Sequence, residues 1–317
     1  MKALVTGATG FVGPYLAGAL HAYDEIELHG TCLEDPMSLP DDIVGHFTEL
    51  HQINIEEDAP VLHLIQKLKP DWVFHLAAQS HVGSSFRSPW PTLHTNIRGT
   101  LNILDSMRSL PSSRLLFVSS AEVYGPVGPD DLPLRETHAL NPGNPYSVSK
   151  AAAELLVRQY HMSYGVDAII ARPFNHIGPG QSERFALADF ANQIARIEQG
   201  LQPPLLKVGN LAAARDMTDV RDIVRAYVQL LIHGEGGQVY NICRGEGFVL
   251  QALVEKLIAL SPQKIEIETE QDRLRPLDVP RVVGDASKLQ QLTGWQVEIP
   301  LDATLRDILE DKRSRLR

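Results

Sequence analysis

The first 175 residues alternate short apolar runs with longer segments of helical periodicity. The apolar runs occupy residues 2–7, 26–33, 70–78, 114–125 and 166–175. The helical segments occupy residues 11–23, 58–69, 95–110 and 146–164. Strict alternation of strands and helices predicts a parallel sheet with helices on both faces, because each parallel connection needs a crossover. The runs are apolar throughout, which is typical of strands buried on both faces, so an α/β doubly wound fold is expected.

This alternation ends after Asn175. Beyond it lie several helical segments, one further strand at 236–243, and a segment rich in proline and arginine at 272–285. They predict a second, smaller α/β domain that is built from several parts of the chain. The expected sheet domain comprises residues 1–174 and roughly 217–243, and the expected smaller domain comprises residues 175–216 and 244–317.

The charge and the cysteines narrow the class of protein. With 29 basic and 39 acidic residues the net charge is −10, which disfavours nucleic acid and anionic membranes as partners. No apolar run approaches the length of a membrane span, and the N-terminal stretch is not typical of a signal peptide. Cys32 and Cys243 lie far apart, so we expect a reducing, cytoplasmic location. The histidines are scattered, and no metal site is expected.

A glycine-rich loop, "TGATGFVG" at 6–13, follows the first strand and opens the first helix. The first glycine permits a sharp turn, the second lets the backbone approach a pyrophosphate, and the third lets the helix pack closely on the strand. The helix N-terminus then binds the phosphate charge. The loop therefore predicts a dinucleotide site, with contacts from Gly7, Thr9, Gly10, Phe11, Val12 and Gly13.

The end of the second strand leaves the choice of coenzyme open. An NAD-type aspartate is expected two residues after Gly30, where this chain has Cys32. No arginine follows to bind a ribose phosphate, and Glu34 and Asp35 disfavour an added phosphate. We therefore expect NADPH or NADH without a preference.

Tyr146 and Lys150 stand four residues apart at the start of the helical segment "PYSVSKAAAELL", so they share one helix face. A free tyrosine has a pKa near 10, and lowering this pKa by about three units, to near neutral pH, takes roughly 4 kcal/mol. A cation about 4 Å away supplies on the order of 4 kcal/mol at an effective dielectric of about 20. The pair thus predicts a phenol with a lowered pKa that transfers a proton.

Two serines, Ser119 and Ser120, stand near the end of the strand predicted over 114–125. Ligands of parallel doubly wound sheets bind beyond the carboxyl ends of the strands. Ser120 is therefore expected to donate a hydrogen bond to a substrate oxygen beside Tyr146.

These motifs occur together and in order, with "HLAAQS" at 75–80 and "RPFN" at 172–175, and the chain resembles the extended short-chain dehydrogenase/reductases. The resemblance implies a Rossmann domain that binds NAD(H) or NADP(H), and a second domain that binds a nucleotide sugar. It also implies a homodimer formed through the helices at 95–110 and 146–164. The further coenzyme contacts that it implies are Asn54, Ile55, Leu76, Ala77 and Ala78, together with Tyr146 and Lys150.

The second half resembles one branch of this family, the GDP-6-deoxy-D-mannose reductases, in "RPFNHIGPGQS", "LKVGNLAAARDMTDVRDIVRAY" and "RLRPLDVPRVVGD". This implies reduction of the 4-keto group of a GDP-sugar. Tyr146 would act as general acid, Ser120 would bind the ketone oxygen, and Lys150 would keep Tyr146 acidic. The implied substrate contacts are Ser80, Glu122, Asn175, Lys207, Asn210, Arg215 and Arg275, of which the two arginines suit a diphosphate.

Other activities remain open at this point. Glu122 stands where a GDP-mannose 4,6-dehydratase carries its base, although the paired arginines expected after its second strand are absent. An epimerase that makes GDP-fucose needs a cysteine and a histidine near the sugar, and neither cysteine fits. A UDP-sugar 4-epimerase would use the same serine, tyrosine and lysine. A non-catalytic dinucleotide sensor would have lost the tyrosine or the lysine.

Two positions depart from the family pattern. Asn54 replaces the aspartate that usually contacts adenine, and its carbonyl oxygen can still accept a hydrogen bond from an amino group. Asp278 replaces the glutamate that the reductases tend to have, so the same charge has a shorter reach.

Overall fold

The computed structural model describes residues 1–23, 26–273 and 279–316. Its strands, in chain order, are β1 Lys2–Thr6, β2 Glu27–Cys32, β3 Glu49–Gln52, β4 Trp72–His75, β5 Arg114–Val118, β6 Asp167–Pro173, β7 Asn175–Ile177, β8 Leu205–Val208, β9 Ala214–Asp219, β10 Val239–Ile242, β11 Gly247–Val249, β12 Glu266–Thr269 and β13 Arg281–Val282. Its α-helices are α1 Gly13–Leu20, α2 Asp41–Val44, α3 Asp58–Leu68, α4 Val82–Arg87, α5 Pro89–Met107, α6 Pro145–Tyr164, α7 Ala186–Glu198, α8 Val220–His233, α9 Leu250–Ala259, α10 Ser287–Thr293 and α11 Leu301–Arg315.

Seven strands form one parallel sheet in the order β10-β6-β5-β4-β1-β2-β3. The chain runs outward from β1 to β3, returns to β4 on the other side of β1, and then runs outward again. This reversal opens a crevice beyond the carboxyl ends of β1 and β4, which is where doubly wound sheets bind ligands. The doubly wound α/β fold is confirmed.

The two faces of the sheet are both buried, as the apolar runs predicted. Alternate residues of β1 point to opposite sides: Ala3 and Val5 join a core with α1 and α8, and Leu4 joins a core with α3, α5 and α6. All three side chains are 1% exposed or less. Helices cover both faces of the sheet and exclude water from it. The strands are therefore apolar throughout and do not alternate polar with apolar residues.

The strand predicted over 114–125 ends earlier, at Val118. The Ser120 side chain accepts a hydrogen bond from the Glu122 backbone N–H at 3.2 Å, and residues Ala121–Tyr124 form one turn of 3-10 helix. A serine oxygen that caps a backbone N–H competes with continued strand pairing. The chain therefore turns immediately after the serines.

Helices α7, α9 and α11 surround a second apolar core. Outside the seven-stranded sheet lie six strands that the sequence did not reveal: β7, β8, β9, β11, β12 and β13. They are not continuous apolar runs, since β9 reads ARDMTD and β12 reads EIET. β9 lies between β11 and β13 and also pairs with β7, and β8 pairs with β12. The boundaries given above for two domains stay a prediction. In the part of the chain described here, no helix has both the length and the apolar composition of a membrane span.

A buried ion pair ties α6 to the sheet. Arg172 of β6 donates from Nε to Glu154 of α6 at 3.0 Å, and the two side chains are 1% and 0% exposed. Ser119 donates to the same carboxylate at 3.0 Å, and Arg172 donates from Nη1 to the Tyr124 hydroxyl at 2.8 Å. These bonds satisfy the buried charges and fix where α6 begins relative to the end of β5.

Removing one partner of this pair should destabilise the fold strongly. Glu154→Gln leaves the Arg172 guanidinium buried without a counter-charge, and we expect a loss of about 3–5 kcal/mol in the free energy of unfolding in urea. The matched control is Arg98→Gln, which removes an ion pair to Asp58 at 3.1 Å on the surface. That change should cost less than about 1 kcal/mol. Equal losses for the two variants would contradict the structural role of the buried pair.

Candidate active site

The glycine loop has the geometry that its spacing predicts. Gly7 has a φ of +68°, and a Cβ there would lie 2.9 Å from the Ala77 Cα. A Cβ on Gly13 would lie 2.0 Å from the Ala8 carbonyl oxygen, so only glycine lets α1 begin this close to β1. The close approach of backbone to backbone leaves a concave surface in front of the helix N-terminus. This surface suits the pyrophosphate of a dinucleotide.

A cavity of about 540 Å³ lies in front of this loop, beyond the strand ends. The volume falls in the range of small-molecule sites. The cavity brings together fifteen of the residues expected in the site: Gly7, Thr9, Gly10, Phe11, Val12, Asn54, Ile55, Leu76, Ala77, Ala78, Ser80, Ser120, Tyr146, Lys150 and Asn175. Gly13 lies behind the loop and contributes through helix packing.

The start of α6 presents Tyr146 and Lys150 to this cavity. Asn144 caps the helix, because its Oδ1 accepts from the Ser147 N–H at 2.8 Å and its own N–H donates to Ser147 Oγ at 3.1 Å. Pro145 follows in the first helical position, where its missing N–H costs nothing. The cap therefore places Tyr146 in the first turn, and it fixes the direction in which that side chain leaves the helix.

Lys150 is anchored to the sheet. Its Nζ donates to the Val118 carbonyl oxygen at 2.7 Å and lies 5.3 Å from the centre of the Phe117 ring. The side chain is 4% exposed, and burial lowers the pKa of Lys150 to about 7. The lysine is thus a poorly solvated ammonium that hydrogen-bonds to the last residue of β5.

The lowered pKa expected for Tyr146 is wrong for this arrangement. Burial raises the pKa of Tyr146 to about 12, and the nearby Glu122 carboxylate raises it further, while a hydrogen bond with Ser120 opposes the rise. Desolvation of the phenolate is the largest of these effects and outweighs the hydrogen bond with Ser120. Tyr146 therefore stays protonated at neutral pH.

Glu122 lies beside the cavity rather than in its lining. The Asn144 side chain donates to Glu122 Oε2 at 3.1 Å, which links the 3-10 turn after β5 to the cap of α6. The carboxylate sits close enough to influence Tyr146 electrostatically. Its role in binding or catalysis stays a prediction.

The other expected substrate contacts lie on elements of the second core. Lys207 of β8 pairs with Glu270 at 2.6 Å. Asn210 Oδ1 accepts from the Ala212 N–H at 3.0 Å, and Arg215 of β9 donates to the Val279 carbonyl oxygen at 2.7 Å. None of these three lines the 540 Å³ cavity. Arg275 lies outside the described residues, as does Asp278.

Tyr227 and Gln181 are among the polar residues of the cavity wall that sequence reasoning missed. The hydroxyl of Tyr227 and the Oε1 of Gln181 are buried without a hydrogen-bond partner among the described residues. A buried polar atom without a partner is costly, so a bound ligand that supplies one gains affinity. Tyr227 lies in the apolar pattern of α8, where no sequence signal distinguishes it from a core residue. His176, whose ring stacks on Phe11 with centroids 6.1 Å apart, was also missed.

Comparisons with known proteins agree with this geometry. A profile of the family described as GDP-mannose 4,6 dehydratase matches residues 4–308. GDP-6-deoxy-D-mannose reductase of Pseudomonas aeruginosa is 40% identical, over 100% of this chain and 98% of that protein. A GDP-mannose 4,6-dehydratase of Vibrio cholerae is 30% identical, over 98% of this chain and 93% of that protein. The solved structure of RMD from Pseudomonas aeruginosa complexed with NADPH gives a TM-score of 0.86 at 40% identity and covers 99% of each chain.

The fold and the site define an NAD(P)-dependent oxidoreductase of the short-chain dehydrogenase/reductase class. The glycine loop, the strand-end serine and the tyrosine–lysine pair are the features that carry this assignment. The chain belongs to the GDP-mannose 4,6 dehydratase family, and its relatives in that family include a reductase and dehydratases. The resemblance drawn from the sequence is thereby confirmed.

The buried lysine should give the protein a distinctive pH dependence of stability. The pKa of Lys150 is about 7 in the folded protein and about 10.4 in an unfolded chain. Between these values the unfolded chain binds more protons, so stability rises with pH. Relative to Lys150→Met, the wild-type free energy of unfolding should rise by up to about 1.4 kcal/mol per pH unit from about pH 7 upward.

Urea unfolding of both proteins at a series of pH values checks this expectation. Lys264→Met, which removes an exposed lysine, serves as the control and should show no such trend relative to wild type. If the difference in the free energy of unfolding between wild type and Lys150→Met did not change above neutral pH, burial would not lower the pKa of Lys150.

Proposed function

We propose that this protein reduces the 4-keto group of GDP-4-dehydro-6-deoxy-D-mannose with NADPH or NADH and yields GDP-6-deoxy-D-mannose. The observation that carries the proposal is the convergence of Ser120, Tyr146 and Lys150 on the cavity of the glycine loop. The full-length similarity to a GDP-6-deoxy-D-mannose reductase supports this substrate. The proposed location is the cytoplasm, which the two buried free cysteines support.

A bound reduced nicotinamide supplies the hydride that the ketone carbon accepts. The residues of this chain handle the charge that then grows on the ketone oxygen. Tyr146 is protonated at neutral pH, because burial holds the pKa of its phenol at about 12. It is therefore poised to donate a proton to a developing alkoxide, which is a stronger base than a phenolate. Ser120 hydrogen-bonds the same oxygen.

Lys150 acts on the phenolate that remains after Tyr146 has given up its proton. The two residues are one helical turn apart on α6, and both are buried in the same wall. A phenolate in this low-dielectric site would attract the ammonium far more strongly than the neutral phenol does. The lysine thus stabilises the product of proton transfer, and it need not acidify the tyrosine beforehand.

The coenzyme is NADPH or NADH. Glu34 lines the cavity and accepts a hydrogen bond from Thr9 Oγ1 at 3.2 Å, so a carboxylate stands near the end of β2. Its charge disfavours a second phosphate and supports NADH. The complex of the Pseudomonas aeruginosa relative with NADPH supports the phosphorylated coenzyme. Both are therefore included in the assay below.

The nucleotide part of the substrate is assigned to residues of the second core. Asn175, at the junction of the two cores, lines the cavity together with Ser80. Lys207, Asn210, Arg215 and Arg275 are proposed to bind the diphosphate and the base, since arginine forks match phosphate geometry.

GDP-mannose 4,6-dehydration is the second candidate function. Glu122 lies next to Tyr146 and would provide the base that elimination of water requires. The family profile and the Vibrio cholerae relative support this candidate. The position of Glu122 outside the cavity lining, hydrogen-bonded by Asn144, favours the reductase.

The assay compares wild type with Tyr146→Phe. Wild type should oxidise NADPH or NADH only when GDP-4-dehydro-6-deoxy-D-mannose is present. Tyr146→Phe should lower kcat by about 10²–10⁴-fold, because it removes the general acid and leaves binding intact. Tyr164→Phe, an exposed tyrosine on the same helix, should behave as wild type.

Incubation with GDP-mannose alone separates the two candidates. A reductase leaves GDP-mannose unchanged, whereas a dehydratase converts it without added reductant, and Glu122→Gln should abolish that conversion. Turnover of GDP-mannose would therefore overturn the proposed function. Equal rates for wild type and Tyr146→Phe on the keto sugar would overturn the role of the phenol.

The homodimer proposal concerns the outer face of α6. Val148, Leu155 and Met162 recur every seven residues and are 42%, 57% and 77% exposed. On the neighbouring α5, Trp90 is 70% exposed. Large apolar side chains at heptad spacing on a helix surface are suited to packing against another helix. We propose that α5 and α6 of two copies pair in a homodimer.

Leu155→Glu should convert the dimer to a monomer, because it places a charge in the centre of the apolar stripe. Size-exclusion chromatography with light scattering measures the mass directly. Leu62→Glu on α3, where the leucine is 40% exposed, is the control and should leave the mass unchanged. A wild type that runs as a monomer, or a Leu155→Glu variant that stays dimeric, would contradict this interface.

A further inference from the structure

Two histidines and two glutamates converge at the outer edge of the sheet, outside the cavity. Glu27 and His29 lie on β2, and Glu49 and His51 lie on β3, the outermost strand on this side. The parallel register pairs His29 with Glu49 and Thr31 with His51. Alternate residues of a strand point to the same face, so the four side chains share one face of two neighbouring strands.

The donor atoms of three of these residues are close together. His29 Nδ1 lies 3.2 Å from His51 Nε2 and 4.0 Å from Glu49 Oε2. One ligand atom from each of His29, Glu49 and His51 lies within 4.8 Å of the other two. Metal–ligand bonds of about 2.0–2.1 Å in a tetrahedral site separate neighbouring ligand atoms by about 3.3 Å. The histidine nitrogens already meet this requirement.

We propose that His29, His51 and Glu49 bind one divalent transition-metal ion, with zinc as the representative ion. Two imidazoles and one carboxylate are a ligand set that suits zinc, and they do not suit the hard cations magnesium and calcium. Three protein ligands leave the fourth position to water.

Glu27 contacts the ring nitrogen of His29 that is not proposed to bind the metal. Its Oε1 lies 2.9 Å from His29 Nε2, the ring nitrogen that faces away from His51. A carboxylate on the second nitrogen orients a metal-binding histidine and increases its basicity. With the His29 proton on Nε2, the lone pair of Nδ1 is directed toward His51 and Glu49.

Burial and access both fit a metal site. His29 and His51 have side chains only 4% and 12% exposed, so their positions are set by packing, whereas Glu49 is 56% exposed. The carboxylate is therefore free to close the 4.0 Å gap to His29 and to leave an entrance from solvent. Lys2 and Lys67 are the nearby cations: Lys2 pairs with Glu27 at 3.5 Å, and Lys67 interacts electrostatically with His51.

Binding requires one proton to move. The 3.2 Å spacing between the rings accommodates a single N–H, and the ring planes are only 23° apart. When that proton is on His51 Nε2, it must shift to Nδ1, which lies 3.7 Å from Glu49 Oε1. Small rotations of both rings then direct the two lone pairs at one ion. The backbone of the two paired strands does not need to move.

The site would cross-link the outermost strand to the sheet. β3 leads into Asn54 and Ile55, which line the cavity. An ion that binds only the folded state adds to stability by mass action. The inference does not depend on the reaction proposed above, since none of its ligands lines the cavity.

The test uses the full-length protein without an affinity tag, stripped with a chelator and then titrated with Zn²⁺ by calorimetry. We expect one ion per chain and a higher thermal unfolding temperature. Co²⁺ in place of Zn²⁺ should give the visible absorption of a four-coordinate site. His51→Gln and Glu49→Gln should each weaken binding by about tenfold or more, and Glu27→Gln should weaken it by about 10–100-fold.

His63→Gln is the matched control, because it removes an exposed histidine of α3 and leaves the cluster intact. It should bind Zn²⁺ as wild type does. Absence of binding to wild type would overturn the proposal, and so would equal binding by wild type, His51→Gln and Glu49→Gln. Glu49 is largely exposed, so Glu49→Gln remains informative even if a histidine variant fails to fold.

Discussion

The placement of the active-site helix depends on one buried ion pair. Arg172 of β6 and Glu154 of α6 are both buried away from water. Hydrogen bonds with Ser119 and Tyr124 help to offset the desolvation penalty of the two charges. The network joins β5, β6 and α6 at the level where β5 ends. The network thereby positions the cavity wall that carries the phenol and the lysine relative to the ends of these strands.

The chemistry of the phenol follows from burial more than from its neighbours. A tyrosine in water would already be protonated at neutral pH, and desolvation strengthens that preference, since a phenolate loses more solvation than a phenol. Burial acts on Lys150 as well and lowers its pKa to about 7, so its ammonium is poorly solvated. A neutral phenol gives this ammonium no counter-charge, whereas a phenolate does. The arrangement therefore favours the charge that develops when Tyr146 donates its proton, which suits an acid catalyst.

Reduction of a ketone and elimination of water make different demands on this site. Elimination requires a base that removes a proton from the sugar, in addition to a proton donor. In this protein the candidate base, Glu122, is part of a 3-10 turn and is hydrogen-bonded by the residue that caps α6. A carboxylate committed to holding a helix start is less suited to removing a proton from a sugar. Backbone conformation after β5 therefore bears directly on which reaction is supported.

The sequence by itself determined the alternation of strands and helices, the glycine loop, and the identity of Ser120, Tyr146 and Lys150, because these rest on local periodicity and on short motifs. It did not reveal the short strands around β9, whose pairing partners are distant in the chain. Nor did it reveal Tyr227 and Gln181, which look like ordinary helix and loop residues until the fold turns them toward the cavity. The direction of the pKa of Tyr146 was decided by tertiary structure alone, because desolvation depends on everything that surrounds the ring and not on the residue one turn away.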